Sequence, residues 1–416
     1  MRPTHQTKMP NRISSSVARA LLTIAPVVAL AQPVPAQTFK VLYNFSYRPG
    51  GWNPYGTLLV HDGILYGTTI AGGSANSNID CLGEGQSCGA VFQFDLKSGT
   101  ETLLHSFAGP PSEGALPYAG LSRDEAGNLY GTTYYGGFEN DGTVFRIDST
   151  GNFSTLHSFI GADGFALWAG VVPDSSGNLY GETLGKSGSQ EGLLFKLDPE
   201  GVLTTQPSAS AVLGTLRLKN NLQLYGAGSG GGAYNAGTVF TVNAETGKLT
   251  VLYNFTGGAD GGNPTGSLTA DSAGNLYGTA TCGGAVSCSG GNGVVFMLNL
   301  RTGQETVLHT FGGYPDGVQP QGQLALDSSG NLYGATAFGG ENVCNEGTIG
   351  CGTVFKLTPP GPDGGAWTET VLHNFDGGDG WGPLGGVTLD SQGHLYGVAF
   401  WGGTNNNTGT LFEVTP

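Results

Sequence analysis

The sequence predicts an all-β protein: one seven-bladed β-propeller of four-stranded antiparallel blades, the last blade closed by the N-terminal strand. Three observations carry that expectation. A Leu-Tyr-Gly triplet recurs seven times, with tyrosines at Tyr66, Tyr130, Tyr180, Tyr225, Tyr277, Tyr333 and Tyr396, spaced 45 to 64 residues apart. Each copy sits among four apolar runs of four to seven residues bounded by turn residues, the mark of short strands. After residue 36 the chain opens on a strand of the fourth type and closes on one of the third, so one blade is shared between the two ends and ties a ring shut.

Taken in order, the first strand of each unit starts at a small residue: Gly56 to Val60, Gly120 to Arg123, Gly170 to Pro173, Gly214 to Leu218, Gly266 to Ala270, Gly322 to Leu326 and Gly385 to Leu389. Innermost strands crowd one another at a central channel, where small residues admit close backbone approach. An Asp-x-x-Gly-Asn turn follows at Asp124, Asp174, Asp271 and Asp327, with Asp390 to His394 as a variant. Aspartate bonds nearby backbone in such a hairpin, so these acids are assigned to the turn. The second strand holds the repeated tyrosine. The third carries Phe92, Phe145, Phe195, Phe240, Phe296, Phe355 and Phe412, and the fourth ends at Phe45, Phe107, Phe159, Pro207, Phe255, Phe311 and Phe375.

Composition removes the competing architectures. Of 416 residues, 75 are glycine and only 11% are charged, which disfavours coiled coils, helical solenoids and charge-driven disorder. The glycines keep no three-residue period, so collagen is excluded, and a 38% hydrophobic share supplies a large core. A net charge of -15 repels phosphate backbones and anionic membranes, so nucleic acid is not an expected partner. The first 36 residues carry four cations and no acid, and lead into an apolar stretch from Ala20 to Ala31 and then Val34-Pro35-Ala36. That is the layout of a secretory signal, with cleavage expected after Ala31 or Ala36. The stretch is shorter than the roughly 20 residues that span a bilayer, so no membrane span is expected. The expected organisation is therefore a signal segment, residues 1–36, and a single propeller, residues 37–416, secreted to the periplasm or the medium.

The ordered set Gly-Asn-Leu-Tyr-Gly-Thr, Gly-Gly, Gly-Thr-Val-Phe-x-Leu-Asp and Leu-His-x-Phe resembles the GloVer tandem repeat of exported bacterial proteins, over nearly the whole chain after residue 36. The resemblance implies export and a propeller-like fold and assigns no activity. The family is named for variable C-terminal sorting anchors, whereas Pro416 directly follows the last strand, so the chain looks like an unanchored, secreted member.

Six cysteines fall in three local pairs: Cys81 with Cys88, Cys282 with Cys288, and Cys344 with Cys351. All lie between second and third strands, and equivalent placement in three units selects local bridging in an oxidising compartment. Closing so short a loop stabilises by about 2.5 kcal/mol in the chain-entropy model. Zinc would need four convergent ligands, which pairs on separate blades do not supply. No metal or cofactor is expected. Histidines His105, His157, His309 and His373 recur in the outer strand, at the position where other units carry Tyr43 and Tyr253. Exchange with tyrosine marks them as half-buried packing residues with polar tips. No catalytic motif is found.

Loops that enter the first strand and loops that leave the second emerge on one face of a propeller. The entry loops carry Asp163, Asp260, Asp316 and Asp379, with Trp52, Trp168 and Trp381, while Tyr135, Phe338 and Trp401 lie in exit loops. Acids and aromatics on one face suit a sugar, whose C–H faces stack on rings and whose hydroxyls donate to carboxylates. The candidate binding residues are therefore Trp52, Tyr135, Trp168, Phe338, Asp379, Trp381 and Trp401. The leading expectation is a secreted binding or scaffold propeller that takes a polysaccharide or an extracellular protein through this face. The alternatives are a carbohydrate-active enzyme using the four loop carboxylates near the channel mouth, and a structural envelope protein with no discrete ligand.

Overall fold

The computed structural model describes residues 37–47, 50–73, 81, 88–185, 192–208, 214–220, 222–344 and 350–416. The expected signal segment, residues 1–36, lies outside them. Gln37–Pro416 is one compact unit, built among the described residues from strands, turns and loops without a helix. No helix among the described residues is long and apolar enough to cross a membrane.

Seven antiparallel sheets form the blades of the propeller. The first blade runs Leu59–His61, Ile64–Gly72, Ala90–Asp95 and Thr100–Ser106. The seventh runs Val387–Leu389, Leu395–Ala399 and Thr410–Thr415, and is completed by Thr38–Asn44. There Thr38 faces Thr415, Val41 faces Phe412 and Asn44 faces Thr410. The closure read from the chain ends is thus present. Blades one and five gain a fifth strand, Gly51–Pro54 and Gly262–Pro264, because the entry segment pairs with a lengthened second strand.

Repeated residues make repeated contacts. The phenylalanine ending a fourth strand meets the third-strand phenylalanine of the next blade edge to face: Phe45 on Phe92 at 5.2 Å, Phe159 on Phe195 at 5.3 Å and Phe375 on Phe412 at 5.2 Å. Such a pair is worth about 0.5–1.5 kcal/mol beyond its burial. Pro207 breaks the series between the third and fourth blades. The glycine of Leu-Tyr-Gly is steric in origin: a Cβ on Gly67 would lie 2.5 Å from the Phe92 ring. At the hairpin, Asp327 accepts the Asn331 N–H at 2.9 Å, its amide at 2.7 Å and the Tyr333 hydroxyl at 3.0 Å. Asp124, Asp174 and Asp271 repeat the arrangement, and Asp390 does so with His394 and Tyr396. The turn assignment of these acids holds, and the repeated tyrosine is satisfied by the repeated aspartate.

Candidate functional site

A second device repeats at the opposite end of the blades. The entry segment follows the pattern acid-Gly-x-x-Pro-x-small, as in Asp316-Gly317-Val318-Gln319-Pro320-Gln321-Gly322 and Glu113-Gly114-Ala115-Leu116-Pro117-Tyr118-Ala119. The residue before the proline has positive φ: Asn53 at 55°, Leu116 at 58°, Asn263 at 53°, Gln319 at 56° and Gly382 at 67°, with Ala166 at 57° before Leu167. L-residues seldom adopt this region, so something must hold it. Each donates its N–H to a carbonyl of the preceding blade: Asn53 to Thr408 at 2.9 Å, Leu116 to Cys88 at 2.9 Å, Ala166 to Asp141 at 3.0 Å, Asn263 to Ala236 at 2.8 Å, Gln319 to Asn292 at 2.8 Å and Gly382 to Cys351 at 3.0 Å. The proline then packs on the glycine opening the preceding blade's third strand; a Cβ on Gly293, at φ 98°, would lie 2.5 Å from Pro320 Cδ. The same frame sets one side chain per blade at the mouth of the channel. These are Tyr55, Tyr118, Trp168, Thr265, Gln321 and Leu384; Leu213, at the fourth blade's position, lies outside the described residues.

The mouth encloses a cavity of about 260 Å³ lined by those six, by Gln319, Gln323 and Thr281, and by the small heads of the first strands. No charged side chain lines it among the described residues. Its two walls differ. Tyr118 and Trp168 stack at 4.3 Å and 11°, with Tyr55 edge-on to both at 5.3 and 5.7 Å. Burial, reinforced by Tyr118, pushes the Tyr55 pKa up to about 12, so it remains a neutral phenol. Across the ring the sixth blade presents the amides of Gln319, Gln321 and Gln323. An apolar, ring-bearing wall facing a few polar groups is the usual composition of a small-molecule site.

Of the residues singled out from sequence, Trp168 lies in this wall. Five others occupy the cross-strand pair of entry and exit segments beside the mouth. Trp381 and Trp401 exchange backbone N–H bonds of 2.9 and 3.1 Å and stack at 4.2 Å and 16°, and the Trp381 indole donates to Asn407 at 3.0 Å. Trp52 pairs with Ala71 and packs its ring on Tyr47 at 4.9 Å. Tyr135 pairs with Ala115 and touches Tyr134, while Phe338 pairs with Val318. Phe400, absent from the sequence reading, meets Tyr55 at 5.7 Å and Trp401 at 4.3 Å. Tyr55, Tyr118 and the three glutamines were also missed. The signal that marks this place is a proline two residues before a small residue at the start of the first strand, present in five units at Pro54, Pro117 (before Ala119), Pro264, Pro320 and Pro383.

Comparison with known proteins now bears on the chain as a whole. The family model described as the Gloeobacter/Verrucomicrobia repeat matches residues 29–183 and 170–350. The chain belongs to that family. No curated protein matches it. Among solved structures, oligogalacturonate lyase from Vibrio parahaemolyticus is similar at 12% identity over 91% of this chain and 93% of that one, with a TM-score of 0.51, a likeness of fold alone. TolB from Acinetobacter baumannii is similar at 14% identity over 69% of this chain, spanning 61% of its own, with a TM-score of 0.40.

In this Gloeobacter/Verrucomicrobia repeat protein the recurring histidines have partners that the sequence reading did not foresee. Six outer strands carry a bulge that leaves one leucine unpaired just before the histidine or tyrosine, as at Leu104 and Leu372. A bulge re-aims the next side chain, in five of these strands onto the acid of the loop that follows and enters the next blade, while Tyr43 donates to Glu101 at 3.4 Å. His105 meets Glu113 at 3.0 Å, His157 meets Asp163 at 3.0 Å, His309 meets Asp316 at 3.4 Å, His373 meets Asp379 at 2.6 Å and Tyr253 donates to Asp260 at 2.9 Å. The same carboxylates accept loop N–H groups, such as Asp376 N–H on Asp379 at 2.9 Å. Burial works against ionisation of Asp316, but His309 and the N–H groups of Gly312 and Gly317 hold its carboxyl below the usual range. The loop acids, Asp379 included, are therefore bound to the outer strands, and none lines the cavity. The three expected disulfides are all formed. Two of them anchor Cys88 and Cys351, whose carbonyls hold Leu116 and Gly382 in the mouth frame.

Proposed function

We propose that this protein is an exported binding propeller whose ligand is a carbohydrate, seated at the channel mouth. The observation that carries the reading is the uncharged cavity between the Tyr118–Trp168 stack and the Gln319, Gln321 and Gln323 amides. A sugar offers an apolar C–H face to the rings and hydroxyls to the amides, which both donate and accept. The stack is braced by Tyr55, packed edge-on against both rings before a ligand arrives, which lowers the ordering cost of binding. The signal layout of residues 1–36 and the disulfides support export. The carboxylate-enzyme reading gains no support at this site, because Asp163, Asp260, Asp316 and Asp379 are engaged by outer-strand His and Tyr side chains.

The test is a glycan array probed with the full chain and with Trp168→Ala and Gln321→Ala. Binding that falls at least tenfold in both variants, with unchanged melting temperature in Gln321→Ala, supports the assignment. Array binding that survives both substitutions, or no binding to any glycan, overturns it.

A further inference from the structure

The carbohydrate reading leaves open whether the site takes a charged or a neutral sugar, a single unit or a chain. Two features of the loop face decide between these. The first is charge. No cation lines the central cavity among the described residues, and the chain as a whole carries -15. A uronate or sulfated sugar would bring its anion into that field with no partner, losing its hydration without compensation. A neutral sugar loses only hydroxyl hydration, which Gln319, Gln321, Gln323, Thr265 and Thr281 can replace.

The second feature is a path. From Trp168 the rings touch in sequence through Tyr55, Phe400 and Trp401 to Trp381, at centroid separations of 5.7, 5.7, 4.3 and 4.2 Å. The path therefore leaves the mouth and ends on the seventh blade. At its far end lies a second cavity of about 280 Å³, lined by Trp381, Asn407, Asp376, Gly377, Val343 and Cys344. Its make-up repeats the central one in outline: an indole, an amide and, here, a carboxylate that can accept sugar hydroxyls. Asp376 already accepts N–H groups from Gly378 and Asp379 at 2.9 and 3.1 Å, which fixes its orientation. Trp381 is likewise fixed by its bond to Asn407.

We infer that the ligand is an uncharged oligosaccharide that spans two subsites, one unit in the channel mouth and a distal unit on Trp381 in the seventh blade. This rests on the carbohydrate reading, and deepens it. Two linked contacts make the second intramolecular, so affinity rises with chain length until the distal subsite is reached and then levels off.

The experiment measures binding of the full chain to a glycan array holding neutral, uronic and sulfated saccharides, then titrates a length series, one to eight units, of the best binder. Neutral binders are expected, with affinity rising at least tenfold between the shortest and the longest members. Trp381→Ala is expected to remove that rise and leave the shortest member unaffected, whereas Gln321→Ala weakens every length. Binders that are exclusively uronic or sulfated, affinity independent of length, or a length series unchanged by Trp381→Ala overturn the inference while leaving the carbohydrate reading in place. Absence of any glycan binder overturns both. If Trp381→Ala lowers the melting temperature, Asn407→Ala reports on the distal subsite in its place, with the same expected and overturning results.

Discussion

The two ends of each blade are built by opposite rules. At the hairpin end the side chains repeat: Asp, Asn and Tyr make the same three bonds at Asp124, Asp174, Asp271 and Asp327. At the mouth end the backbone frame repeats, a positive-φ residue bonded to the preceding blade and followed in five blades by proline, while the side chain presented to the channel changes from Tyr to Trp, Thr, Gln or Leu. A side chain that repeats around the ring serves the ring. One that varies on a constant frame is available for recognition, and its loss should be felt by a ligand before it is felt by the fold.

Substitutions sharpen that contrast, and their expected effects on stability form a descending series. Removing residues 37–45 takes away the closing strand together with Phe45, whose truncation to Ala alone would cost about 3–5 kcal/mol. A larger loss than that, seen as a lower melting temperature, is expected for the deletion; wild-type melting would show that the ring does not depend on closure. At the hairpin end, Asp327→Ala strands the Asn331 amide and the Tyr333 hydroxyl, and should cost about 1–3 kcal/mol in denaturant titrations while leaving ligand binding intact.

A smaller effect is expected on the outer strands, and it depends on pH. Burial, aided by Asp260, raises the pKa of Glu305 to about 7, and burial, aided by Asp316, raises that of Glu369 to about 6, both from 4.5. With the folded pKa above the unfolded one, the native state holds more protons in this window. Stability from these groups is full below about pH 4.5 and is lost as pH climbs towards 7. Thermal melts of the wild type should therefore fall between pH 5 and pH 8, and Glu305→Gln with Glu369→Gln should flatten the fall. A wild-type and double-variant difference that does not change with pH would refute the assignment. Smallest of all is the stability cost of Gln321→Ala at the mouth, within about 0.5 kcal/mol, despite the loss of binding expected of it.

The same contrast explains what could be read in advance. Leu-Tyr-Gly, Asp-x-x-Gly-Asn and the third-strand phenylalanine recur as letters because each makes an identical contact in most blades, so strand order and closure were visible without coordinates. The cysteine pairs were visible for the same reason. The mouth was not, because Tyr55, Trp168, Thr265 and Gln321 share a place without sharing a chemistry. Only the flanking proline and the small residue mark that place, and a proline in a glycine-rich loop passes for ordinary turn punctuation. The aromatics that stand out in the sequence, Trp52, Tyr135, Phe338, Trp381 and Trp401, lie beside the mouth in the entry and exit segments, and Trp168 lies in its wall. Exchange of His with Tyr on the outer strand identified packing correctly but hid the loop acid six to eight residues on that both can engage.

The closing strand also sets an order of events. Thr38–Asn44 leaves the ribosome long before Thr410–Thr415, the strand it must pair with, has been made. Contacts so distant in sequence form late, since the intervening chain has to be ordered before they are rewarded. Until then both strands present open edges, the kind that pair with a second chain. The vulnerable period of this protein is therefore the interval before its first and last strands meet, and a partner that shields Thr38–Asn44 during that interval would raise the yield of closed rings without touching the finished molecule.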